Sequence, residues 1–268
     1  MYPTCICGEN NYKVILNFKK GKKKYKILLC KNCGLARTWP IPFEGKTTPY
    51  QKEKSYLERK EKIKLWQRFA KSSISRIKKY KKEGRLLDVG CNLGIFVKEA
   101  QKAGFDAYGI DPSRYAIKEG EKLFRLSGKL LHGSLTTISF PENYFDIVTL
   151  IHSLEHIHNL NFVLKKIYSI LKKDGILLIE VPNFNSLWRK LLGERWYGFY
   201  FQQHVWQFTS KSLQSILKRH KFSILKIDTR HSMYHRLSFN LIGLIKLLIF
   251  IIAYILKIGD NLVIIAKK

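Results

Sequence analysis

The sequence predicts an α/β protein built on a Rossmann-like, mostly parallel sheet, with a small cysteine-bearing module in front of it. Three observations carry that reading. The run Arg85-Leu-Leu-Asp-Val-Gly-Cys-Asn-Leu-Gly-Ile-Phe96 has the form strand, glycine loop, helix. Ala107-Tyr-Gly-Ile-Asp111 follows as a second strand that ends in an acid. Apolar runs suited to strands then alternate with helical periodicity for about 100 residues, which argues for a parallel sheet.

Each element follows from its residues. Leu86, Leu87 and Val89 make a short strand around Asp88, and Gly90 and Gly94 bracket a tight turn. Glycine is needed where the backbone turns sharply and a ligand approaches with no Cβ in the way. Ile95, Phe96, Val97 and Ala100 continue at helical spacing. A helix is expected over Arg114 to Leu123, a third strand over Leu130 to Ser134, and a turn at Phe140-Pro-Glu-Asn143. Tyr144 to Ile151 is a fourth strand, and Phe162 to Leu171 is a helix that Lys173-Asp-Gly175 should end, with the glycine at its C-terminus. Gly175 to Pro182 is a near-continuous apolar run, as in a strand buried on both faces. Phe222 to Asp228 and Asp260 to Lys267 should close the sheet as an antiparallel hairpin.

The loop chemistry narrows the ligand. A dinucleotide site wants G-x-G-x-x-G with a pyrophosphate on the helix N-terminus. Here the loop is Gly90-Cys-Asn-Leu-Gly94, and Asp88 precedes it. A carboxylate there repels a pyrophosphate but holds an ammonium group. Asp111 lies roughly 20 residues on, where an acid accepts hydrogen bonds from ribose hydroxyls. S-adenosylmethionine has a ribose, an ammonium and a sulfonium, and no phosphate, so the charges favour it over NAD. The competing reading is a plain βαβ turn in which Asp88 only caps the helix.

LLDVGCNLGIF, YGIDPS, FPENYFDIVTLIHSLEHI and ILKKDGILLIEVPN, in that order, resemble a class I S-adenosylmethionine-dependent methyltransferase over roughly 85–183. The resemblance implies a seven-stranded sheet. It implies that Asp88, Gly90, Cys91 and Gly94 cradle the methionine part of the cofactor. Asp111 would bind the ribose hydroxyls, Pro112 would border the adenine, and Ser134 and Leu135 would meet its edge. Ile151 and His152 would floor the site. Asn92 and Leu93 depart from the family's usual loop residues.

Five cysteines are present. Cys91 reads as a small packing residue. The other four form two pairs, Cys5-Ile-Cys7 and Cys30-Lys-Asn-Cys33-Gly34. Two such pairs suit a tetrahedral zinc site, although the first is C-x-C. The alternative is a ribbon with unmetallated thiols. Tyr12 to Phe18 and Lys24 to Leu29 would be its hairpin. No signal-peptide pattern precedes the pairs, so a reducing cytoplasm is expected rather than disulfides. No thioredoxin-like βαβ surrounds Cys30 and Cys33. Cys5, Cys7, Cys30 and Cys33, Trp39-Pro-Ile-Pro42 and His204-Val-Trp-Gln-Phe-Thr209 resemble a zinc-ribbon-bearing bacterial subset of these methyltransferases, similar to enzymes of sugar and secondary-metabolite methylation. The expected organisation is a ribbon over 1–45, a basic helical linker over 46–84, and the methyltransferase domain over 85–268.

Methyl transfer needs positioning and, for an oxygen or carbon acceptor, a proton acceptor. His204 is the first candidate base, and His156 the second. His152-Ser-Leu-Glu-His156 spells H-x-x-E-H, an inverted zinc-protease pattern. His152 sits at a strand end rather than on the continuous helix that pattern needs, so protease chemistry is rejected. The resemblance implies that Glu155-His156 orders its loop, and in some relatives helps bind a divalent ion. Trp196, Tyr197 and Tyr200 are expected to line the acceptor pocket. The acceptor itself is expected to be a small molecule or a sugar- or lipid-linked one, O- or C-methylated.

The formal charge is +29, from 49 Lys+Arg against 20 Asp+Glu. Residues 1–85 hold 24 of the basic and 6 of the acidic residues. RNA binding, and with it RNA methylation, is one reading of that excess. An anionic membrane surface is a second, and a solvated surface a third. The apolar stretch 237–258 has the length of a membrane span. The expected final strand after it argues instead for an interfacial helix, or for one covered in a homodimer. A membrane-associated assembly protein with a vestigial cofactor site is the remaining alternative, and the intact Asp88, Gly90, Gly94 and Asp111 speak against it.

Overall fold

The computed structural model describes residues 2–20, 22–41, 59–196, 198–200, 203–231 and 251–268, the last without 254 and 257. Tyr197, most of the stretch 237–258, and residues 42–58, which cover the end of the expected ribbon and the start of the expected linker, lie outside them. In chain order the elements are β1 (Tyr12–Lys20), β2 (Lys23–Cys30), β3 (Ala36–Trp39), α1 (Ile63–Ile77), β4 (Gly84–Val89), α2 (Ile95–Lys102), β5 (Phe105–Asp111) and α3 (Arg114–Phe124). There follow β6 (Leu130–His132), β7 (Phe145–Ile151), α4 (Leu160–Ile170), β8 (Leu171–Pro182), α5 (Leu187–Leu192), β9 (Trp206–Gln207), α6 (Ser210–Arg219), β10 (Ser223–Arg230) and β11 (Asn261–Lys267).

Seven strands form the main sheet, in the order β10-β11-β8-β7-β4-β5-β6. The strands β8, β7, β4, β5 and β6 are parallel; β11 alone runs against them, inserted antiparallel between β8 and β10, with Ile264 opposite Ile179 and Ile227. Both faces are covered, which is why Leu86, Leu87, Ile147, Val148, Leu177 and Leu178 are all fully buried. Ala70, Ile74 and Ile77 of α1 and Val97 and Ala100 of α2 pack on one face. Val163, Leu164 and Ile167 of α4 and Leu213, Ile216 and Leu217 of α6 pack on the other. Thr209 starts α6 with a capping box shared with Ser212.

The expected helix end at Gly175 is corrected. Helix α4 stops at Ile170, and Leu171 already has extended dihedrals and opens β8. The left-handed residue is Asp174, with φ 60°, rather than Gly175. Gly175 is needed for close approach instead, because a Cβ there would sit 2.8 Å from the Lys172 carbonyl oxygen.

The second sheet is antiparallel, in the order β1-β2-β3-β9. Its fourth strand comes from far along the chain: Ala36 and Arg37 face Gln207 and Trp206. The hairpin of β1 and β2 falls where Tyr12 to Leu29 were expected to form one. Ile27 and Ala36 pack against Phe184, Trp188, Trp196 and Phe199, so this sheet is bound to the segment that follows β8.

Candidate functional site

The carboxyl ends of β4, β5 and β7 frame a cleft of about 460 Å³. Its wall includes Gly90, Asp111, Pro112, Ser134, Leu135, His152 and His156. A narrow second cleft shares Arg59, Gly90 and Asn92 with it and reaches Asp88, Cys91 and Ile151. The structure therefore brings together all the expected cofactor residues except Gly94. That glycine is the N-cap of α2, with φ 73°, and a Cβ on it would meet Leu126 and Leu130 at 2.9 Å.

The loop is pinned from both sides. Gly90 and Cys91 donate their N–H groups to the Ile110 carbonyl at 2.8 and 3.0 Å. Asp111 Oδ2 accepts from the Asn92 N–H and Oδ1 from the Ser113 N–H, both at 2.9 Å. The acid is thus oriented by the loop it faces. Gly90 has φ 81°, and a Cβ there would lie 2.2 Å from Ser153 Oγ. Cys91 packs over Gly109, where any Cβ would approach its sulfur to 2.6 Å. Asn92 takes a left-handed φ of 54°, a conformation that asparagine tolerates.

Asp88 does not cap the helix, which has no side-chain cap. It is buried and accepts from Thr149 Oγ1 at 2.7 Å. Burial, with help from the nearby Asp111 charge, pushes its carboxyl up to about 7, against the pull of Thr149 and Arg59. Burial raises Asp111 as well, although the Ser113 and Asn92 amides oppose it. Two buried acids flanking one loop, with Arg59 as the nearby cation, are a setting that favours a cationic ligand.

Beside this cleft lies a buried cluster. Glu155 Oε1 is 3.6 Å from His152 Nδ1 and 3.9 Å from His156 Nε2. Burial pushes Glu155 up, but the His152 contact and the His156 and His204 charges hold it below the usual carboxylate range. The rings of His156 and His204 meet edge to face at 4.7 Å. His156 Nδ1 is 3.0 Å from the Gln203 carbonyl, and His204 Nδ1 is 2.8 Å from that of Gly198. Burial lowers both imidazoles. His156 and Gln203 reach the larger cleft, whereas His204 stands behind them. Glu155, His156 and His204 each offer a ligand atom, all within 4.8 Å of one another. Residues 154–156 form a single 3₁₀ turn, so H-x-x-E-H here is not on a continuous helix.

Trp196 is buried under Phe184 and Phe199 rather than lining either cleft, and Tyr200 is half exposed. The Trp196 ring folds back over Gly198, where a Cβ would sit 2.2 Å from it. Sequence reasoning missed Arg59, Asn92 and Gln203. Asn92 stands inside the loop motif and was legible as a left-handed asparagine; the other two reach the cleft only through tertiary folding.

The four N-terminal cysteines converge. Cys5 Sγ is 3.5 Å from Cys33 Sγ, and Cys7 Sγ is 3.6 Å from Cys30 Sγ. All four sulfurs lie within 4.8 Å of one another. Val205 ties this sheet to the cleft: it accepts from the Thr38 N–H and donates to the Glu155 carbonyl, each at 2.9 Å.

The family model described as a methyltransferase domain matches residues 59–227, so the chain belongs to that family. A demethylmenaquinone methyltransferase from a Geobacillus species is 32% identical over 126 residues, covering 44% of this chain and 52% of its own. A ubiquinone biosynthesis O-methyltransferase from Bradyrhizobium diazoefficiens is 28% identical over 103 residues, covering 38% and 41%. The chain thus spans about half the length of the curated relatives it matches. An S-adenosylmethionine-dependent methyltransferase structure from Archaeoglobus fulgidus superimposes with a TM-score of 0.58 at 26% identity, covering 80% of this chain and 99% of that one.

Proposed function

We propose that this member of the methyltransferase-domain family transfers a methyl group from S-adenosylmethionine to a small organic acceptor. The observation that carries the reading is the pair of buried acids on either side of the glycine loop, with both Asp111 oxygens oriented by backbone amides. The relatives named above, which act in quinone biosynthesis, support a small ring-bearing or lipid-linked acceptor; a sugar-linked one fits the same reading.

When bound, the cofactor supplies a methyl group on a sulfonium sulfur, a leaving group that is already activated. The remaining work belongs to the chain. Asp111 receives ribose hydroxyls and Asp88 the ammonium group, while Arg59 meets the cofactor's carboxylate. Pro112 and Leu135 flank the adenine. Of the cleft-wall histidines His152, His156 and His158, His156 is taken as the one that accepts the acceptor's proton. Its Nδ1–H is donated to the Gln203 carbonyl, and burial favours the neutral ring that can take up a proton. His204 holds His156 in place from behind.

Zinc fits the cysteine cluster. Zn–S bonds of about 2.3 Å in a tetrahedron place sulfurs about 3.8 Å apart, close to the 3.5 and 3.6 Å observed. Cys5, Cys7, Cys30 and Cys33 would hold the metal in a closed, structural role.

Calorimetry with S-adenosylhomocysteine tests the central reading. Wild-type protein binds it, and Asp111→Ala loses affinity about a hundredfold, the loss of two charge-assisted hydrogen bonds. Folded wild-type protein that gives no heat and no competition would refute the assignment.

A further inference from the structure

We propose that Leu191 and Leu192, together with Ile251, Ile252, Ile255 and Leu256, form a docking surface for an anionic lipid bilayer. Scattered exposed leucines are ordinary, but a group on adjoining elements is an interaction surface. Ile255 is 69% exposed, Leu256 60% and Leu191 57%. The two stretches are joined at their bases: the Leu187 N–H donates to the Ile258 carbonyl at 2.9 Å, and Asn183 Nδ2 to the Gly259 carbonyl at 2.8 Å. Helix α5 buries Trp188 on one side and turns Leu191 and Leu192 outward.

Charge identifies the occupant. Lys190 and Arg195 are exposed at either end of the Leu191-Leu192 pair, with Glu194 as the acid beside them. The whole chain carries +29. The sequence immediately before Ile251, from Leu237 on, is apolar with Lys246 as its sole charge. An apolar patch beside cations suits a headgroup layer of anionic lipid, where each basic residue adds attraction and the apolar side chains enter the acyl boundary. Among the described residues no helix is long and apolar enough to cross a membrane. Strand β11, directly after this stretch, is an inner strand of the sheet. Both facts fit a contact made at the surface.

The patch lies just beyond Pro182, at the carboxyl end of β8, the same edge of the sheet that opens the cofactor cleft. The chain from Leu192 runs on to Gln203 in the cleft wall. The docking itself does not depend on the methyltransferase reading.

Flotation of the full-length protein with vesicles of equimolar phosphatidylglycerol and phosphatidylcholine tests it. The protein should float at low salt, float less at high salt, and stay behind with phosphatidylcholine alone. Leu191→Glu/Leu192→Glu and Ile255→Glu/Leu256→Glu should each weaken binding about tenfold or more, with an unchanged circular-dichroism spectrum and denaturant midpoint as evidence of folding. Lys190→Glu/Arg195→Glu, which leaves the apolar residues intact, should weaken binding at low salt only. Wild-type protein that does not float, or variants that float as well as it does, would overturn the proposal. So would a wild-type dimer that the Ile255→Glu/Leu256→Glu change splits while no vesicle binding is seen, since the patch would then join two copies of the chain.

Discussion

The two sheets are stabilised in different ways. In the seven-stranded sheet the last eight residues of β8 are all buried, with helices on both faces. That sheet supplies its own core. The four-stranded sheet has a small one: Ile27 and Ala36 complete it only with Phe184, Trp188, Trp196 and Phe199 from the larger part. Its β1 has no fully buried residue among those described, and Ile15, Leu16 and Phe18 are only partly covered by that cluster. A sheet this small cannot bury enough apolar surface to stand alone, so it leans on the larger part twice: through that cluster, and through Cys5, Cys30 and Leu35, which are buried in one cluster with Val205, Trp206 and Phe208. The cleft that carries the chemistry is built on the self-sufficient sheet.

The sharpest way to break this contrast is to remove the zinc that the four cysteines are proposed to hold. Chelation, or Cys30→Ser, should unfold β1 to β3 while the seven-stranded sheet persists, since structural zinc contributes on the order of 10 kcal/mol to small domains. Hydrogen exchange followed by mass spectrometry would show fast exchange over 12–39 and slow exchange over 84–182. Equal protection before and after chelation would mean that packing alone holds the small sheet.

A change inside the larger sheet's loop should cost less. Gly90→Ala places a Cβ against Ser153 in a left-handed backbone, and is expected to destabilise by about 2 kcal/mol and to weaken cofactor binding. Denaturant unfolding measures the first and calorimetry the second. An unchanged midpoint would show that Ser153 turns aside freely.

An effect read against pH is the most diagnostic. Asp88 has its carboxyl raised from 3.8 to about 7. The folded protein therefore holds a proton that the unfolded chain has released, so stability without ligand falls as pH rises from about 4 to about 7. A cationic ligand needs the ionised form. Its affinity should climb with pH by up to about tenfold per unit below 7 and level off above, with a proton released on binding. Asp88→Asn should flatten the profile. Titration in buffers of different ionisation enthalpy reads that proton directly.

Much of the larger sheet was legible in advance because its signals are local. Gly90 and Gly94 announce a turn by their freedom at positive φ, and the apolar run Ile176 to Val181 announces a strand buried on both faces. Asp111 was legible because it closes a strand at a fixed distance from the loop. What stayed hidden depends on distant partners. Nothing in Trp206-Gln207 says that two residues will pair with β3. Arg59 and Gln203 reach the cleft only once α1 and the segment before β9 are in place. The end of α4 was misread because Gly175 looks like a helix stop, when the glycine is needed to let the backbone pass the Lys172 carbonyl.

The pairing of β3 with β9 also sets an order of events during synthesis. Thr38 Oγ1 donates to the His204 carbonyl at 2.8 Å, across 166 residues of chain. At ribosomal rates of roughly 5–20 residues per second, that interval is about 8–30 s. Throughout it β3 emerges with an open edge, exposed to other nascent strands. Zinc captured early by the cysteines would fix the first three strands of this sheet before its last strand exists.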